Sequence, residues 1–171
     1  MSTISQQRAG SKTDARYSEV RDRRRIAVPP REVWRLLGEI EWYPQWCAVT
    51  ASVSDVERSA GLGTAYEART RLGLVTIRAR WRIVEWQPPV RQLHRSEGGG
   101  MPAALERRLE VVSDGEGGAV VTMAFRYRPR LGVLGRLVDR LVLRGALQRR
   151  IPASLEQVES LLCRPGPTAV P

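Results

Sequence analysis

The sequence predicts an α+β fold, in which a curved antiparallel sheet of about seven strands wraps a long C-terminal helix and two short helices follow the first strand. Two observations predict this fold. Between residues 17 and 129, apolar and polar residues alternate through a series of segments, which is the pattern of half-buried strands. From Leu131 to Cys163 the apolar residues instead recur every three or four positions, which is the pattern of an amphipathic helix.

The first strand is predicted over Tyr17 to Val28, where Val20 and Ile26 lie on one face. Asp22 and Arg24 fall on that same apolar face, where a charge is costly unless it is paired. Two interpretations stay open for them. Either they form a polar anchor inside a pocket, or the strand is frayed or bulged at this point.

A short aromatic segment interrupts the strands. Pro29–Pro30 ends the first strand and opens a short helix, because proline is tolerated in the first helical turn. Residues 38–47 then gather Trp42, Tyr43 and Trp46 around a proline, which limits a second helix to about one turn. These aromatic side chains are expected to cap a core or the mouth of a pocket.

Six further strands are predicted, separated by turns rich in glycine or proline. They are Val49–Glu57, Thr64–Leu72, Leu74–Gln87, Val90–Glu97, Ala104–Val112 and Ala119–Pro129. Alternation is cleanest in Leu74–Gln87, whose polar face carries arginines, and Glu67 on the strand before it is the expected cross-strand partner. One face of the sheet is therefore expected to be buried and the other exposed.

The terminal helix is expected to cover the apolar face of the sheet. Pro152 lies inside it, and an interior proline costs about 3 kcal/mol, so a break or bend is expected near residues 148–151. Arg136, Arg140 and Arg144 form a basic stripe that is interpreted as an exposed helix face. If the sheet bends enough, a space lined by apolar groups remains between sheet and helix.

The composition is that of one globular domain. At 171 residues the chain fits a single domain over residues 17–163, between polar tails at 1–16 and 164–171 that are expected to be disordered. Neither a membrane-spanning run nor a signal peptide is predicted. Cys47 and Cys163 are expected to be reduced, which favours a cytoplasmic location, and a disulfide between them is the alternative.

The chain is strongly basic, with a net charge of +10, and all of its 28 Lys and Arg residues except Lys12 are arginine. The arginines are spread along the whole chain, so the favoured interpretation is a solvated arginine-rich face. Nucleic acid, a ribosome and peripheral contact with an anionic membrane are the alternative partners.

Four segments of the chain resemble a known family. They are residues 24–46, with a proline-x-x-valine-tryptophan motif and a later proline–tryptophan pair, the turn and strand at 61–73, the hairpin at 75–96, and the terminal helix. On these segments the sequence resembles the START-like, helix-grip superfamily (SRPBCC), and within it the polyketide cyclase/dehydrase and lipid-transport type. The resemblance implies a helix-grip fold whose pocket binds a hydrophobic small molecule such as a lipid, a quinone or an aromatic polyketide, and it implies no cofactor.

The expected pocket is lined by inward-facing aromatic and apolar residues and by the two charged residues of the first strand. The candidates are Asp22, Arg24, Trp42, Trp46, Tyr66, Ala68, Trp81, Met123, Phe125, Tyr127, Leu134 and Leu141. A tyrosine hydroxyl among them would orient a carbonyl or phenol group of the ligand.

No catalytic residue is assigned from the sequence. His94 is the only histidine, and it is expected on the exposed face if its neighbour Leu93 points inward. A Ser–His–Asp triad with Ser96 has no supporting spacing. A metal site with two histidines is excluded, and no glycine-rich loop precedes a helix in the way a phosphate site requires.

Three hypotheses remain open. The first is a protein that binds or transports a hydrophobic small molecule. The second is a polyketide cyclase or dehydratase, which would need Asp22, Arg24, Tyr66 and Tyr127 to converge inside the same pocket. The third is a ribosome- or RNA-associated protein that uses its basic face, whose binding would weaken steeply with added salt.

Overall fold

The computed structural model describes residues 17–72, 75–97, 104–128 and 143–163. Both predicted tails lie outside the described residues. So do the first part of the predicted terminal helix and, with it, the pocket candidates Leu134 and Leu141.

Seven strands form one antiparallel sheet, and their order along the chain is the predicted one. The strands are β1 (Ser18–Ile26), β2 (Thr50–Ser54), β3 (Ala65–Leu72), β4 (Val75–Gln87), β5 (Arg91–Glu97), β6 (Ala104–Ser113) and β7 (Ala119–Arg128). In the sheet their order is β1-β7-β6-β5-β4-β3-β2, so β2 to β7 form a meander and β7 returns to pair with β1. The predicted α+β fold with a curved seven-stranded sheet is confirmed.

Two short helices follow the first strand, also as predicted. They are α1 (Pro30–Gly38) and the single turn α2 (Tyr43–Trp46), with a 3-10 turn at Ile40–Trp42 between them. Pro30 occupies the first turn of α1, where its missing N–H has no helical partner to lose. The described part of the terminal helix is α3 (Gly145–Cys163).

The core lies between the inner face of the sheet and α3. From α3 it takes Ile151, Leu155 and Val158, all essentially without solvent exposure. From the sheet it takes the alternate residues of β6 and β7 that point inward, namely Leu105, Leu109, Val111, Val121, Met123, Phe125 and Tyr127. Burial of these side chains is the main free-energy source holding helix and sheet together.

Of the break or bend predicted near residues 148–151, the break is wrong, because α3 runs without interruption through Pro152. Two residues beyond the proline, a serine side chain ties the helix to the segment that follows α2. Ser154 Oγ donates to the Arg150 carbonyl at 2.8 Å and accepts the Ala48 N–H at 2.9 Å. Together with the buried Ile151, these bonds fix the helix on both sides of Pro152.

Candidate functional site

Among the described residues, five polar side chains gather in the interior, and we call them the polar cluster: Tyr43, Tyr66, Gln92, His94 and Arg107. All five are buried, although the residues around them are apolar. Tyr43 comes from α2, and the other four come from the inner face of β3, β5 and β6.

Strand register explains why these residues meet. His94 lies opposite Arg107 on β6 and opposite Ile83 on β4, and Ile83 is fully buried. Residues directly opposite each other in an antiparallel pair project from the same face. His94 and Arg107 therefore both point inward.

The hydrogen bonds of the cluster form a chain whose direction can be deduced. Gln92 Nε2 donates to the Leu37 carbonyl at 2.8 Å, so Gln92 Oε1 is the acceptor for His94 Nε2–H, also at 2.8 Å. His94 Nδ1 then carries no proton and accepts the Tyr66 hydroxyl at 3.0 Å. The Tyr66 oxygen in turn accepts an N–H of Arg107 at 2.9 Å.

Tyr43 closes the cluster from the side of α2. Its hydroxyl lies 3.3 Å from Gln92 Oε1 and 3.4 Å from His94 Nε2, so both contacts are long. Its ring lies beneath the Arg107 guanidinium, 4.2 Å from the guanidinium carbon to the ring centroid. The short helix thus positions one aromatic face against the buried charge.

Arg107 carries the charge of the cluster. Arg107 is 3% exposed to solvent, and it forms no ion pair with a carboxylate of the described residues. The Cys47 thiol is a further neighbour of the guanidinium. The Nε of Arg107 has no partner among the described residues, and the Trp81 ring lies 5.8 Å from the guanidinium carbon. A buried cation is costly unless a counter-ion accompanies it, and none of the described carboxylates does so here.

The histidine and tyrosine neighbours of Arg107 are neutral at physiological pH. Burial lowers the pKa of His94 well below its usual value, and the nearby Arg107 charge lowers it further. Burial raises the pKa of Tyr66 to about 12 and raises that of Tyr43 well above its usual value. The cluster therefore holds one positive charge and no negative one.

Two further donors near the cluster have no acceptor among the described residues. They are the indole N–H groups of Trp46 and Trp81. The Trp46 ring packs edge-on against Tyr43, with 5.3 Å between ring centroids, and Trp81 stands near Arg107 as described above. The interior is thus rich in hydrogen-bond donors that lack acceptors.

Most of the predicted pocket residues belong to the buried core. This group consists of Trp46, Tyr66, Ala68, Trp81, Met123, Phe125 and Tyr127, with Trp42 half-buried against it. The structure brings Tyr66, Trp46 and Trp81 to the polar cluster.

Asp22 and Arg24 lie elsewhere, at the contact between β1 and α3. Arg24 forms ion pairs with Glu156 and Glu159 of α3, and its side chain is 37% exposed. Asp22 lines a surface cleft of about 300 Å³ between β1 and α3. The structure therefore does not bring these two residues together with Tyr66.

The sequence reasoning missed the two residues that matter most in the cluster. The expectation that His94 lies on the exposed face is wrong, since its exposure is zero. Arg107 was overlooked, although a signal was present: it occupies the apolar parity of its strand, between Leu105 and Leu109. A charge at such a position is a candidate functional residue for the same reason that Asp22 and Arg24 were.

The outer face of the sheet carries many ion pairs. One of them joins Glu67 to Arg78 on the neighbouring strand, as predicted. The other pairs are Arg25 with Asp114 and Glu116, Arg80 with Glu57 and Glu97, Arg82 with Glu97, Arg91 with Glu85, and Arg95 with Glu106. This pairing leaves less positive charge free for a nucleic acid than the composition alone suggests.

Within the described ranges, no helix is both long and apolar enough to cross a bilayer. The same residues contain no group of three or more His, Cys, Asp or Glu side chains placed to hold a metal ion.

Comparisons with known proteins agree on the fold. A family model described as polyketide cyclase/dehydrase and lipid transport matches residues 18–162. A solved structure from Thermus thermophilus is 22% identical, with a TM-score of 0.72 over 85% of this chain and 97% of that one. No curated protein sequence gives a significant match.

Two other solved structures carry informative names. The ZhuI aromatase/cyclase from Streptomyces sp. R1128 is 14% identical, with a TM-score of 0.69 over 85% of this chain and 93% of that one. The major latex-like protein 151 from Panax ginseng is 11% identical, with a TM-score of 0.66 over 87% of this chain and 99% of that one. At these identities the likeness concerns the fold alone.

Proposed function

The chain belongs to the polyketide cyclase/dehydrase and lipid transport family, and from that membership we propose that it binds a hydrophobic small molecule between the sheet and the C-terminal helix. The ligand class is a lipid, a quinone or an aromatic polyketide. Its apolar body lies against the inward-facing residues of the sheet, and its polar end meets the polar cluster.

The observation that carries the proposal is the buried guanidinium of Arg107, which has no carboxylate partner among the described residues. Such a group does not stabilise a packed core, because the desolvation cost of burying a charge exceeds what packing contributes. A binding site does have a use for it, because a ligand oxygen can complete its hydrogen bonding. Perturbed, partly satisfied polar groups in an apolar interior are typical of functional sites.

The apolar surroundings suit the rest of such a ligand. Met123 and Phe125 of β7 are buried on the inner face of the sheet, and Leu155 of α3 is buried on the opposite side. Ala68, on the inner face of β3, is the small residue next along that face from Tyr66. A larger side chain at this position would occupy volume beside the cluster.

The first test is native mass spectrometry of the purified full chain, followed by organic extraction of any bound molecule. Uptake of a neutral fluorescent probe, N-phenyl-1-naphthylamine, is measured in parallel. We expect a retained molecule or saturable uptake of one probe per chain. Ala68→Phe should weaken uptake at least several-fold by filling the interior, whereas Ala51→Phe, at an exposed position of β2, should not.

Circular dichroism of both variants separates lost binding from lost folding. A wild-type protein that retains nothing and takes up no probe would refute the proposal. So would uptake that the two variants reduce equally.

The second candidate function is a cofactor-free cyclase or dehydratase that uses the same interior. It is favoured by the position of Arg107 beside the Tyr66 hydroxyl, which is itself bonded to His94. A guanidinium fixed in a water-poor site would stabilise the negative oxygen of an enolised poly-carbonyl chain before ring closure. Turnover of a poly-β-carbonyl thioester by the wild type, lost in Arg107→Met, would support catalysis, and binding without turnover would leave the carrier function.

A further inference from the structure

We infer that the ligand is bound as an anion, with an ionised acidic oxygen lying against Arg107. The ligand class is thereby narrowed to hydrophobic molecules that carry a carboxylate, an ionised phenol or an ionised enol. This inference rests on the proposed function, and it concerns the charge of the ligand, which the family description does not specify.

The first argument is the charge of the interior. Arg107 is positive, and the side chains that it touches include the hydroxyl of Tyr66 and the rings of Tyr43 and Trp81, all of them neutral. Its cross-strand neighbour His94 is neutral as well. A ligand that brings one negative charge would neutralise the site, whereas with a neutral ligand no carboxylate of the described residues and no acidic oxygen of the ligand would lie beside the guanidinium.

The second argument is the direction of the hydrogen bonds. The proton of the Tyr66 hydroxyl is committed to His94 Nδ1, and that of His94 Nε2 is committed to Gln92 Oε1. Within this hydrogen-bond chain, His94 Nδ1 and Gln92 Oε1 therefore already accept hydrogen bonds from neighbouring members. What remains is a set of N–H donors without acceptors, namely Arg107 Nε and the indole nitrogens of Trp46 and Trp81.

A surplus of donors selects among ligand classes. The hydroxyl of an alcohol or a sterol would accept a hydrogen bond, but it would add a further donor and leave the charge unbalanced, and an amine would bring a second positive charge. A quinone carbonyl would accept a hydrogen bond but would not balance the charge. An anionic oxygen does both, since charge-assisted hydrogen bonds to a guanidinium are shorter and stronger than neutral ones.

The test compares matched probes on the full-length wild-type protein by isothermal titration calorimetry at neutral pH. One arm uses 2-naphthoate and its methyl ester, which share the apolar ring and differ in charge. The other arm uses a nitronaphthol, whose absorbance reports whether the bound phenol is ionised. We expect naphthoate to bind about 10- to 100-fold more tightly than the ester.

In the second arm we expect the bound phenol to ionise at a pH at least about one unit below that of the free phenol. A preference for the anion in the naphthoate arm alone identifies the acidic group as a carboxylate, and one in the nitronaphthol arm alone identifies it as a phenol or enol. Either result supports the inference. Equal affinity of acid and ester together with an unshifted phenol would overturn it.

Two variants of β6 separate the interior charge from the charge of the whole molecule. Arg107→Met removes the inward-facing charge, and Arg108→Met removes an exposed charge from the adjacent position on the opposite face. The naphthoate preference should disappear in Arg107→Met and persist in Arg108→Met. If both variants reduce it equally, the anion is held by the net charge of the surface and the inference is wrong.

Failure of this inference is distinguishable from failure of the proposed function. If ester and naphthoate bind equally and the bound phenol ionises at the pH of the free phenol, the hydrophobic site exists and only its charge preference is refuted. If neither probe binds, the proposed function itself fails. The wild-type comparison needs no variant, so the inference remains testable even if Arg107→Met does not fold.

Discussion

A guanidinium and an imidazole lie on opposite strands of the interior, and only one of them is charged. Arg107 stays protonated, because arginine keeps its proton in all protein environments. His94 loses its proton instead, because burial and the adjacent positive charge both disfavour the imidazolium form. Protonating His94 in the folded state would place two like charges side by side in a water-poor interior.

The stability of the protein should therefore fall in mild acid. Since the pKa of His94 is lowered on folding, the unfolded chain binds the proton more readily below about pH 6.5. The stability that His94 contributes is complete above that pH, and it is lost as the pH falls toward the folded pKa, by at most about 1.4 kcal/mol per pH unit. Urea unfolding at pH 7.5 and 5.5 measures this loss.

The control is His94→Gln, which keeps a polar side chain but cannot titrate. Other groups titrate in the same way in both proteins. Backbone hydrogen bonding from Glu116 and a bond from Arg25 lower the pKa of Asp114, and a hydrogen bond from Arg82 lowers the pKa of Glu97. The variant should therefore lose less stability than the wild type between the two pH values. Equal losses would contradict the assignment of His94 as a buried neutral group.

The Tyr66 hydroxyl should matter more than the Tyr43 hydroxyl, although both are buried. Tyr66→Phe removes the acceptor of Arg107 and the donor to His94 at once, and the cost should be about 1–3 kcal/mol. Tyr43→Phe removes only contacts of 3.3 and 3.4 Å and keeps the ring beneath Arg107. Chemical denaturation of the two variants checks the order, and an equal loss would contradict the hydrogen-bond chain.

At the scale of single residues, the sequence alone identifies the buried aromatics but not the polar cluster. Alternation assigns a face only when one parity of a strand is apolar. In β5 the inward residues are Gln92 and His94, whereas Leu93, on the other parity, is only half-buried. The face of His94 is set by its pairing with Ile83, which is long-range information that no local pattern contains.

At the scale of elements, the periodicity was sufficient to place all seven strands and both short helices within a few residues. Strands with a clean alternation, such as β4, need no tertiary information for their type or their face. Register is different. β4 shifts its pairing with β5 between Ile83 and Glu85, and a one-residue shift reverses which side chains point inward.

The helix α3 shows the opposite case, in which tertiary contacts override a local rule. Pro152 predicts a break, yet the helix continues, and Ser154 just beyond the proline bonds both to Arg150 and to the loop that follows α2. The Ser154 hydroxyl is fully buried, so its loss leaves the Ala48 N–H without that acceptor.

Ser154→Ala should therefore cost about 1–2 kcal/mol in the free energy of unfolding. The matched control is Ser160→Ala, which lies on the same helix and is only half-buried, and we expect it to change stability by less than about 0.5 kcal/mol. Thermal unfolding followed by circular dichroism compares the two. Similar melting temperatures for the two variants would show that the Ser154 bonds do not secure α3.

At the scale of the whole molecule, the net charge of +10 and the location of that charge are separate properties. Many of the outward arginines pair with carboxylates, while Arg107 is enclosed. Exposed charges are screened by salt over about 10 Å, and enclosed charges are screened much less.

Binding of 2-naphthoate to the interior should consequently depend only weakly on salt. Between about 50 mM and about 500 mM sodium chloride we expect its dissociation constant to change less than about threefold. An anion held on the outer face would lose far more affinity over the same range, as polyanion binding does. A steep loss would place the bound anion on the arginine-rich exterior.

The overall architecture was predictable because it follows from the period of apolar residues and from the order of the segments. The site was predictable only in part, because it depends on which polar residues the neighbouring strands and α2 bring together. Composition indicated an arginine-rich exterior, whereas in the part of the chain that the structure describes one arginine, Arg107, is buried in the interior.

The chain of hydrogen bonds that starts at Arg107 ends at the Leu37 carbonyl, and this end point limits what the interior can conduct. A backbone carbonyl and the carboxamide of Gln92 accept hydrogen bonds, but neither takes up a proton near neutral pH. No net proton can therefore travel along this chain from the guanidinium to α1. A proton released or taken up by an acid bound at Arg107 would therefore have to leave the interior by a route other than this chain.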